Sequence, residues 1–539
     1  MSSQSDRVAF DNSVQPYDET ILFKQKNWTY ITDSSSSGGV FNNQLQFDLN
    51  TLSSQSQWVD LSEAYVQFPV RVKIKNTGST SGSLTQSINA TVLKNGFHHF
   101  VDSVQVVLDG STVQASQIYE NISTTFKMLS EWSQDELRKY GPSLGIALDD
   151  YTALDTTAIA TIAPSVYGVN LTTTANTGIA ARQSIQNIGV ASGGCKAILD
   201  TQAKNVGKPQ VAVVSGATVA AGSHSYTQFV LATIRLKDIS PVLAAMPMSR
   251  NLKGFLYINY NSSATTFSAD TSAALTALTT SANAGRCCPV MIRSDLISTT
   301  TFGTTASTWE VAVELSGVAT EQTTAQPAIS YGRLVAPYFV ANPQVDAALS
   351  MKKTFRYLER NVSTFDIAAG ANTTVTLSPG IANPKRVLLY PYFTGAGTTG
   401  GTMLTNPLLS PFDATPATTS PFAALKDLQI LVANTPMFQN PVSMDWDQFS
   451  QEVAQQGLDG GLDSQSASGL LSQQMWDRLY RFYTCDVGRR LESEDGSSKS
   501  VIVQCTNATL APMRVIAMIY YEKEITVDTS MGRVYQGKA

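Results

Sequence analysis

The sequence predicts an all-β protein built from tandem sandwiches, and three observations lead to this prediction. Short runs of alternating apolar and polar residues recur along the 539-residue chain, and they are separated by loops rich in Gly, Ser, Thr, Asn and Pro. Helical periodicity is scarce. A chain of this length exceeds one compact core, so we expect two or more domains. Many short strands with few helices favour packed β-sheets.

The strands are predicted in chain order from these alternating runs. The first two are "NNQLQFDLN" at 42–50 and "EAYVQFPVRVKIK" at 63–75. Further runs lie at 224–236, 254–261, 308–315, 333–341, 386–393, 500–505 and 514–527. Helical periodicity is found at 116–140 and 443–456, with a shorter segment, "ISPVLAAM", after Arg235.

Four phrases of the sequence occur twice in the same order. "VDSVQVVL" around Gln105 returns as "LKDLQILV" around Gln429, and a helix is predicted soon after each. The other three pairs are Phe68-Pro69 with Tyr390-Pro391, Asp238-Ile239 with Asp486-Val487, and "RLVAPYF" from Arg333 with "RVIAMIYY" from Arg514. The separation within a pair is nearly constant for the pairs at Phe68 and Gln105 and becomes much shorter for the pairs at Asp238 and Arg333. We therefore predict a duplicated β module with two lengthened connections in the first copy.

The two lengthened connections span residues 149–194 and 261–307. They are nearly free of charge and rich in Thr, Ala and Gly. Loops of this length in a compact protein are functional or disordered, and disordered segments carry net charge and little apolar content. These connections contain Ile, Val, Leu and Tyr. We therefore expect residues 141–205 and 261–307 to form ordered outer projections or contacts between subunits.

The composition indicates the kind of surface and the compartment. Charged residues make up 15% of the chain, below the roughly 25% usual for soluble domains, and neutral polar residues replace them. Such a surface suits a protein packed against copies of itself. The start "MSSQSDRVAF" lacks a signal-peptide apolar region, and no segment approaches a membrane span, so we expect a soluble protein made in the cytosol. Five cysteines without metal-type spacing fit a reduced compartment.

Direct, sequence-specific nucleic-acid binding is not expected from the charge distribution. The net charge is −5, and neither end carries a Lys/Arg-rich arm. The first 20 residues hold one Arg against four acids. Basic arms bind nucleic acid by neutralising its phosphates. The N-terminal segment is not basic, so we expect it to clamp neighbouring chains or to face a membrane or core proteins.

Residues that could support catalysis or ligand binding are few, and each is better explained structurally. His98 and His99 are adjacent in a predicted strand and would point to opposite faces, so they cannot form one metal site unaided. His224 stands alone. Cys287 and Cys288 do not form a ligand pattern. We predict no catalytic, cofactor-binding or metal-binding residues.

Three further motifs resemble functional signatures but lack part of the pattern that the function needs. "GAGTTG" at 395–400 matches a nucleotide-binding fingerprint, but no helix is predicted after it. "LDGGLDS" at 458–464 offers Asp459 and Asp463 to calcium but lacks the acidic density of an EF loop, so a solvated turn is predicted. The aromatic run "MWDRLYRFYTCDVGRR" at 475–490 suits core and interface packing better than base stacking, because no basic groove accompanies it.

Taken together, the tandem sandwiches, the helix after the repeated phrase and the long decorations of the first copy resemble the double jelly-roll major capsid proteins. That family includes the capsid proteins of adenovirus, virophages, polinton-like viruses and tailless icosahedral phages. "SGGVFNNQLQFDLN" at 37–50 resembles the opening strand of the first jelly roll. The segment 234–261 resembles the strand, short helix and strand between the sixth and seventh strands, and 518–534 resembles the closing strand and tail.

The resemblance implies two tandem eight-stranded jelly rolls with short helices and long loop insertions in the first. The domains would be an extended N-terminal arm at 1–40, a first jelly roll at 41–345, and a second jelly roll with the C-terminal tail at 346–539. The implied protein is not an enzyme. It is a structural protein of the virion shell that self-assembles into homotrimeric, pseudo-hexagonal capsomers tiling an icosahedral capsid.

The implied partners are the chain itself, neighbouring capsomers, minor or penton proteins at the vertices, and an internal membrane or core proteins. The alternative function is a tandem β-sandwich carbohydrate-binding or viral spike or fibre protein, which also uses all-β folds with Thr-rich loops. A carbohydrate-active enzyme would need paired carboxylates in a cleft, whereas the acids here cluster in predicted helices and turns. A trimer in solution favours the capsid protein.

Overall fold

Strands dominate the structure, as the sequence predicts. The computed structural model describes residues 23–53, 57–79, 82–83, 91–146, 148, 210–213, 218–269, 275–280, 286–292, 307–318, 327, 329–343, 349–394, 408, 423–455, 469–488 and 496–536. No helix in these ranges is long and apolar enough to cross a membrane.

The first half of the chain contains seventeen strands among the described residues. These are β1 (Phe23–Thr32), β2 (Gln44–Asp48), β3 (Trp58–Val59), β4 (Tyr65–Asn76), β5 (Gly82–Ser83), β6 (Thr91–Leu93), β7 (Val101–Leu108), β8 (Ser111–Gln114), β9 (Gln210–Val213), β10 (Thr218–Val219), β11 (His224–Arg235), β12 (Gly254–Tyr260), β13 (Ser263–Ala269), β14 (Leu275–Thr280), β15 (Val290–Ile292), β16 (Ser307–Leu315) and β17 (Arg333–Ala341). The helices are α1 (Asn50–Ser53), α2 (Glu120–Glu131), α3 (Gln134–Leu144), α4 (Leu236–Ile239) and α5 (Pro241–Ala245).

The second half is more compact in sequence. Its strands are β18 (Lys352–Ile367), β19 (Asn372–Ala382), β20 (Pro384–Phe393), β21 (Leu425–Val432), β22 (Thr435–Pro436), β23 (Tyr483–Asp486), β24 (Ser498–Asn507), β25 (Met513–Asp528) and β26 (Val534–Gln536). Its helices are α6 (Trp446–Gln455) and α7 (Gln473–Arg478).

Each half contains two main antiparallel sheets in which eight strands follow the same order. The first half adds further strands to one of these sheets and has two small two-stranded sheets besides. In the first half the sheets contain β1-β17-β4-β11 and β2-β12-β7-β8; in the second they contain β18-β25-β20-β23 and β19-β24-β21-β22. If the eight strands just named in each half are numbered in chain order, one sheet has the order 1-8-3-6 and the other has the order 2-7-4-5. This is the winding of a jelly roll. The predicted pair of eight-stranded jelly rolls is therefore confirmed.

The repeated phrases lie on strands that occupy the same places in the two sandwiches. Gln105 and Gln429 lie on the fourth strand of their halves, β7 and β21. The phrases at Phe68 and Tyr390 lie on the third strands, and those at Arg333 and Arg514 lie on the eighth. Asp486 ends the sixth strand of its half, whereas Asp238 lies in α4, directly after the sixth strand. The helices α2 and α6 both follow a fifth strand. The sequence repeat thus corresponds to a repeat of topology.

One predicted helix, at 116–140, is two helices in the structure. The chain leaves α2 through Trp132 in an extended conformation, and Ser133 begins α3 by accepting a hydrogen bond from the Glu136 N–H at 3.1 Å. An N-cap serine satisfies a backbone donor that would otherwise lack a partner, so it starts a new helix at this point.

The predicted domain limits at 40/41 and 345/346 stay a prediction, although the sheets follow a similar division. The described strand β17 ends at Ala341, and β18 begins at Lys352. The predicted arm is described from Phe23 onward, where β1 pairs with β17 as an edge strand of the first sandwich.

The two hydrophobic cores exchange side chains between the halves. The second core includes Phe126 and Leu129 of α2, and the Phe126 ring lies 5.3 Å from that of Phe482. In the other direction, Tyr357 and Ile525 join the core of the first sandwich. Because each core is completed by the other half, the two sandwiches pack as a unit.

The long connections of the first half are described in part. Residues 149–209 lie outside the described residues. In the second connection, β13 and β14 form a hairpin that joins the first sandwich through β16, and β16 pairs with β4. The projection of 141–205 and 261–307 from one end of the sandwich stays a prediction.

The hairpins between the fourth and fifth strands use the same tight turn in both sandwiches. Asp109 and Gly110 have φ of 49° and 76°, and Ala433 and Asn434 have φ of 49° and 65°. Positive φ at both central residues is the signature of a type I′ turn, whose twist matches that of the flanking strands. Asp-Gly suits this turn, whereas alanine pays a steric cost in the left-handed region.

We predict that Ala433→Asn raises the free energy of unfolding by about 0.5–1 kcal/mol, because asparagine tolerates positive φ better than alanine. Chemical denaturation of both proteins measures the difference. Asp109→Asn is the matched control in the first sandwich and should change stability by less, because aspartate already tolerates this conformation. A destabilised Ala433→Asn variant would contradict the assigned turn.

Candidate functional site: the junction between the sandwiches

Strand β18 of the second sandwich holds a segment of the first, residues 113–120, by side-chain hydrogen bonds. The segment runs from the end of β8 to the start of α2, and residues 115–119 have irregular backbone whose polar groups need partners from elsewhere. Three side chains of β18 supply them. The Tyr357 hydroxyl donates to the Val113 carbonyl, the Ala115 N–H donates to Glu359 Oε1 at 2.8 Å, and Arg360 Nη2 donates to the Gln117 carbonyl at 2.7 Å.

A buried ion pair completes this contact. Arg360 Nη2 lies 2.6 Å from Glu120 Oε2, and the two side chains are 9% and 7% exposed. Burial raises the pKa of Glu120, and the positive charge of Arg360 opposes this shift. Because both charges are removed from water, each depends on the other for compensation. The pair therefore fixes where α2 sits on β18.

Glu359 is also held by two side chains of the neighbouring strand, β25. The Tyr521 hydroxyl donates to Glu359 Oε2 at 2.9 Å, and Lys523 Nζ lies 2.6 Å from the same oxygen. With Ala115 on Oε1, both carboxylate oxygens are engaged. The neighbouring strand β25 thus fixes Glu359 in the position from which it accepts the bond from the first sandwich.

A second contact joins the halves near the end of β25. The Thr529 carbonyl accepts a hydrogen bond from the Arg250 N–H at 2.8 Å, and the Ser530 carbonyl accepts one from Asn251 Nδ2 at 2.8 Å. Gly532 has φ of +65°, and a Cβ there would lie 2.1 Å from the Asn251 carbonyl oxygen. The close approach of the two backbones therefore requires glycine.

The histidine pair lies beside this junction, and its predicted geometry is wrong. His98 and His99 lie in a 3₁₀ turn, Phe97–Phe100, and their ring centroids are 4.2 Å apart instead of on opposite faces. The turn follows Gly96, whose φ of 97° ends the extended backbone. The Thr125 hydroxyl donates to the Asn121 carbonyl, so His98 Nε2 carries the proton that bonds to the Thr125 oxygen at 2.8 Å.

Burial keeps His98 neutral. It lowers the pKa of this imidazole to about 3. The buried Cys287 thiol responds in the opposite direction, because burial raises its pKa to about 12, so it is not a nucleophile. The four cysteines in the described part of the chain are all buried thiols. No group of three or more His, Cys, Asp or Glu side chains among the described residues could hold a metal ion.

The remaining sequence motifs divide into core residues and undescribed ones. Trp476, Tyr480, Phe482 and Tyr483 of the aromatic run are at most 1% exposed and belong to the second core, as predicted. The segments 395–400 and 458–464 lie outside the described residues, as does the side chain of His224.

The junction was not found by sequence reasoning. Its one signal is the adjacent pair Glu359-Arg360 in the middle of a long strand pattern, where charge on both faces is unusual. Nothing in the local sequence indicates Glu120 as the partner, because 240 positions of chain separate it from Arg360.

We predict that Arg360→Met lowers the free energy of unfolding by about 3–5 kcal/mol, because it leaves the Glu120 carboxylate buried and unpaired. Chemical denaturation measures the loss. Adding Glu120→Leu should recover part of it, since both charges are then absent.

Arg356→Met is the matched control on the same strand. Arg356 is 63% exposed and should cost at most about 1 kcal/mol. Equal losses for Arg360→Met and Arg356→Met would contradict the role of the buried pair.

We predict a second, pH-dependent effect at His98. Unfolding restores its ordinary pKa of 6.5, so between about pH 6.5 and 3 the unfolded chain binds a proton that the folded chain does not. Stability should therefore fall as pH falls through this window, by up to about 1.4 kcal/mol per pH unit from this residue. His98→Gln keeps a donor for Thr125 and should show a shallower loss between about pH 6 and about pH 5. Identical slopes would refute the assignment.

The whole fold is similar to solved structures of viral proteins. A chain in the cryo-EM structure of the Sputnik virophage is 11% identical with a TM-score of 0.50, covering 100% of this chain and 93% of that one. The mavirus major capsid protein is 10% identical with a TM-score of 0.48, covering 100% and 95%. The Faustovirus major capsid protein is 10% identical with a TM-score of 0.43, covering 95% and 92%.

No protein-family model and no curated protein matches the sequence. At 11% identity, the likeness to the Sputnik chain shows the fold alone. Together with the identical winding of the two sandwiches, it establishes that this chain has the double jelly-roll fold.

Proposed function

We propose that this chain is a viral major capsid protein that self-assembles into trimeric capsomers of an icosahedral shell. The observation that carries the proposal is the pair of sandwiches with identical winding, locked together by the buried junction. The fold shared with the chain from the Sputnik virophage structure supports it.

The geometry of the proposed assembly follows from the duplication. Two like sandwiches in one chain make a body with approximate twofold symmetry, so three chains around an axis give a pseudo-sixfold outline. Such capsomers tile a hexagonal lattice, and closure into an icosahedron requires a different protein at the fivefold vertices. The proposed lattice requires a rigid junction, because a variable angle between the sandwiches would displace the surfaces that contact neighbouring capsomers.

Exposed aromatic residues on the edge strand β1 support self-association. Trp28 and Tyr30 are 52% and 53% exposed, and Lys26 Nζ lies 5.6 Å from the centre of the Trp28 ring. Val40, which follows β1 in the chain, is also exposed. Aromatic residues are enriched in protein interfaces relative to the rest of the surface. We assign this edge to a contact between chains.

The genome is not a direct partner in this proposal. A net charge of −5 offers little phosphate neutralisation. The inner surface of the shell would instead face an internal membrane or core proteins. The site of action is the virion shell, with synthesis in the host cytosol.

The decisive measurement is the mass of the purified full-length protein by light scattering, followed by electron microscopy. We expect three times the mass of one chain and particles with a hexagonal outline. Trp28→Ser combined with Tyr30→Ser should weaken self-association while leaving the circular dichroism spectrum unchanged. Leu510→Ser, at another exposed apolar position, is the control. A stable monomer that forms neither trimers nor shells would contradict the proposal.

A further inference from the structure

A cavity of about 330 Å³ lies between the two sandwiches, on the side of α2 that faces β18. Its walls come from both halves: α2, the α4–α5 corner, and strands β18, β20 and β25. This volume falls at the lower end of the range for small-molecule sites, about 300–1,000 Å³. The capsid function proposed above does not use the cavity.

Two of the five charged side chains in the wall, Asp238 and Glu120, are already compensated by ion pairs. Asp238 lies 2.7 Å from Arg235, and Glu120 is paired with Arg360. Lys127 donates to the Lys237 carbonyl at 2.7 Å, which orients its ammonium group without neutralising its charge.

Arg386 is the most deeply buried cation of the wall, and no described residue supplies a counter-ion in contact with it. The side chain belongs to the cavity wall, and the residue is 6% exposed. Its guanidinium lies over the ring of Tyr520 at 4.0 Å and that of Phe126 at 5.6 Å. Its Nε and Nη1 groups have no hydrogen-bond acceptor, and no carboxylate of a described residue lies within ion-pair distance. The Tyr520 side chain hydrogen-bonds to the guanidinium, but two buried nitrogens without acceptors are costly unless a ligand compensates them.

The balance of uncompensated charge defines the ligand. Glu131 also lines the cavity, interacts with Arg386 through space without forming an ion pair, and has its pKa raised by burial. The wall thus has two cations without an ion pair, Lys127 and Arg386, and one such carboxylate, Glu131. One positive charge is therefore in excess. A monoanion fits this excess, and the planar guanidinium fork favours an oxyanion such as a carboxylate.

We propose that the cavity binds a small organic carboxylate. The carboxylate group faces Arg386 and Lys127, and the apolar body lies against Pro241, Ala244 and Leu358. Because these residues come from both sandwiches, the ligand bridges them and stabilises the folded chain by mass action.

The first test is thermal unfolding of the full-length protein with octanoate at concentrations below micelle formation. We expect a dose-dependent rise in Tm. Octan-1-ol and octylammonium carry the same apolar body without the negative charge and should give no comparable rise. Inorganic phosphate tests the alternative that the cavity binds an inorganic oxyanion and not an organic carboxylate. A larger rise with phosphate than with octanoate, or equal rises with octanoate and octan-1-ol, would overturn the proposal.

The second test uses variants and calorimetry with octanoate. Arg386→Met should fold with unchanged or higher Tm, since it removes an uncompensated buried charge, but its Kd should be about tenfold weaker or more. Ala245→Trp, at an exposed position on the cavity wall, should block binding without disturbing the fold.

Arg481→Met is the matched control. Arg481 also stacks on an aromatic ring, that of Trp476 at 4.2 Å, but does not line the cavity. Unchanged affinity in Arg386→Met or Ala245→Trp would refute the site.

Discussion

The arrangement of the two sandwiches depends on charges that are withdrawn from water at their junction. The Glu120–Arg360 pair is almost fully buried, and Glu359 next to it uses both carboxylate oxygens. Hydrophobic burial supplies most of the folding energy but is non-directional, so it tolerates sliding of one sandwich on the other. A buried ion pair does not tolerate it, because separating the charges leaves each without compensation. The junction thus selects one relative position.

The exchange of core elements makes the same arrangement cooperative. Helix α2 is encoded in the first half, yet Phe126 packs on Phe482 in the second core, while Tyr357 and Ile525 reach into the first. Neither core is complete without the other half. For a protein proposed to tile a shell, this coupling turns two flexible modules into one body whose outline is constant from copy to copy.

The same junction also explains why a cavity persists between the sandwiches. Helix α2 has to satisfy Arg360 at its first turn, and along its length its polar residues Ser123, Lys127 and Glu131 face the second sandwich. Polar side chains at such a boundary cannot close-pack as apolar ones do. The remaining space contains Arg386, whose charge the protein itself leaves uncompensated. A structural requirement of the interface thus leaves a chemically distinctive pocket.

The sequence by itself determined the strands, their all-β packing and the duplication. Alternation marked β4 and β12, and the repeated phrases around Gln105 and Gln429 fall on equivalent strands. These features are local, since the period of a strand records which face is buried. Tertiary structure alone decided the rest: the turn that brings His98 against His99, the partner of Arg360, and the charge left on Arg386. Each depends on groups far apart in the chain, and periodicity reports that a residue is buried but not what lies against it.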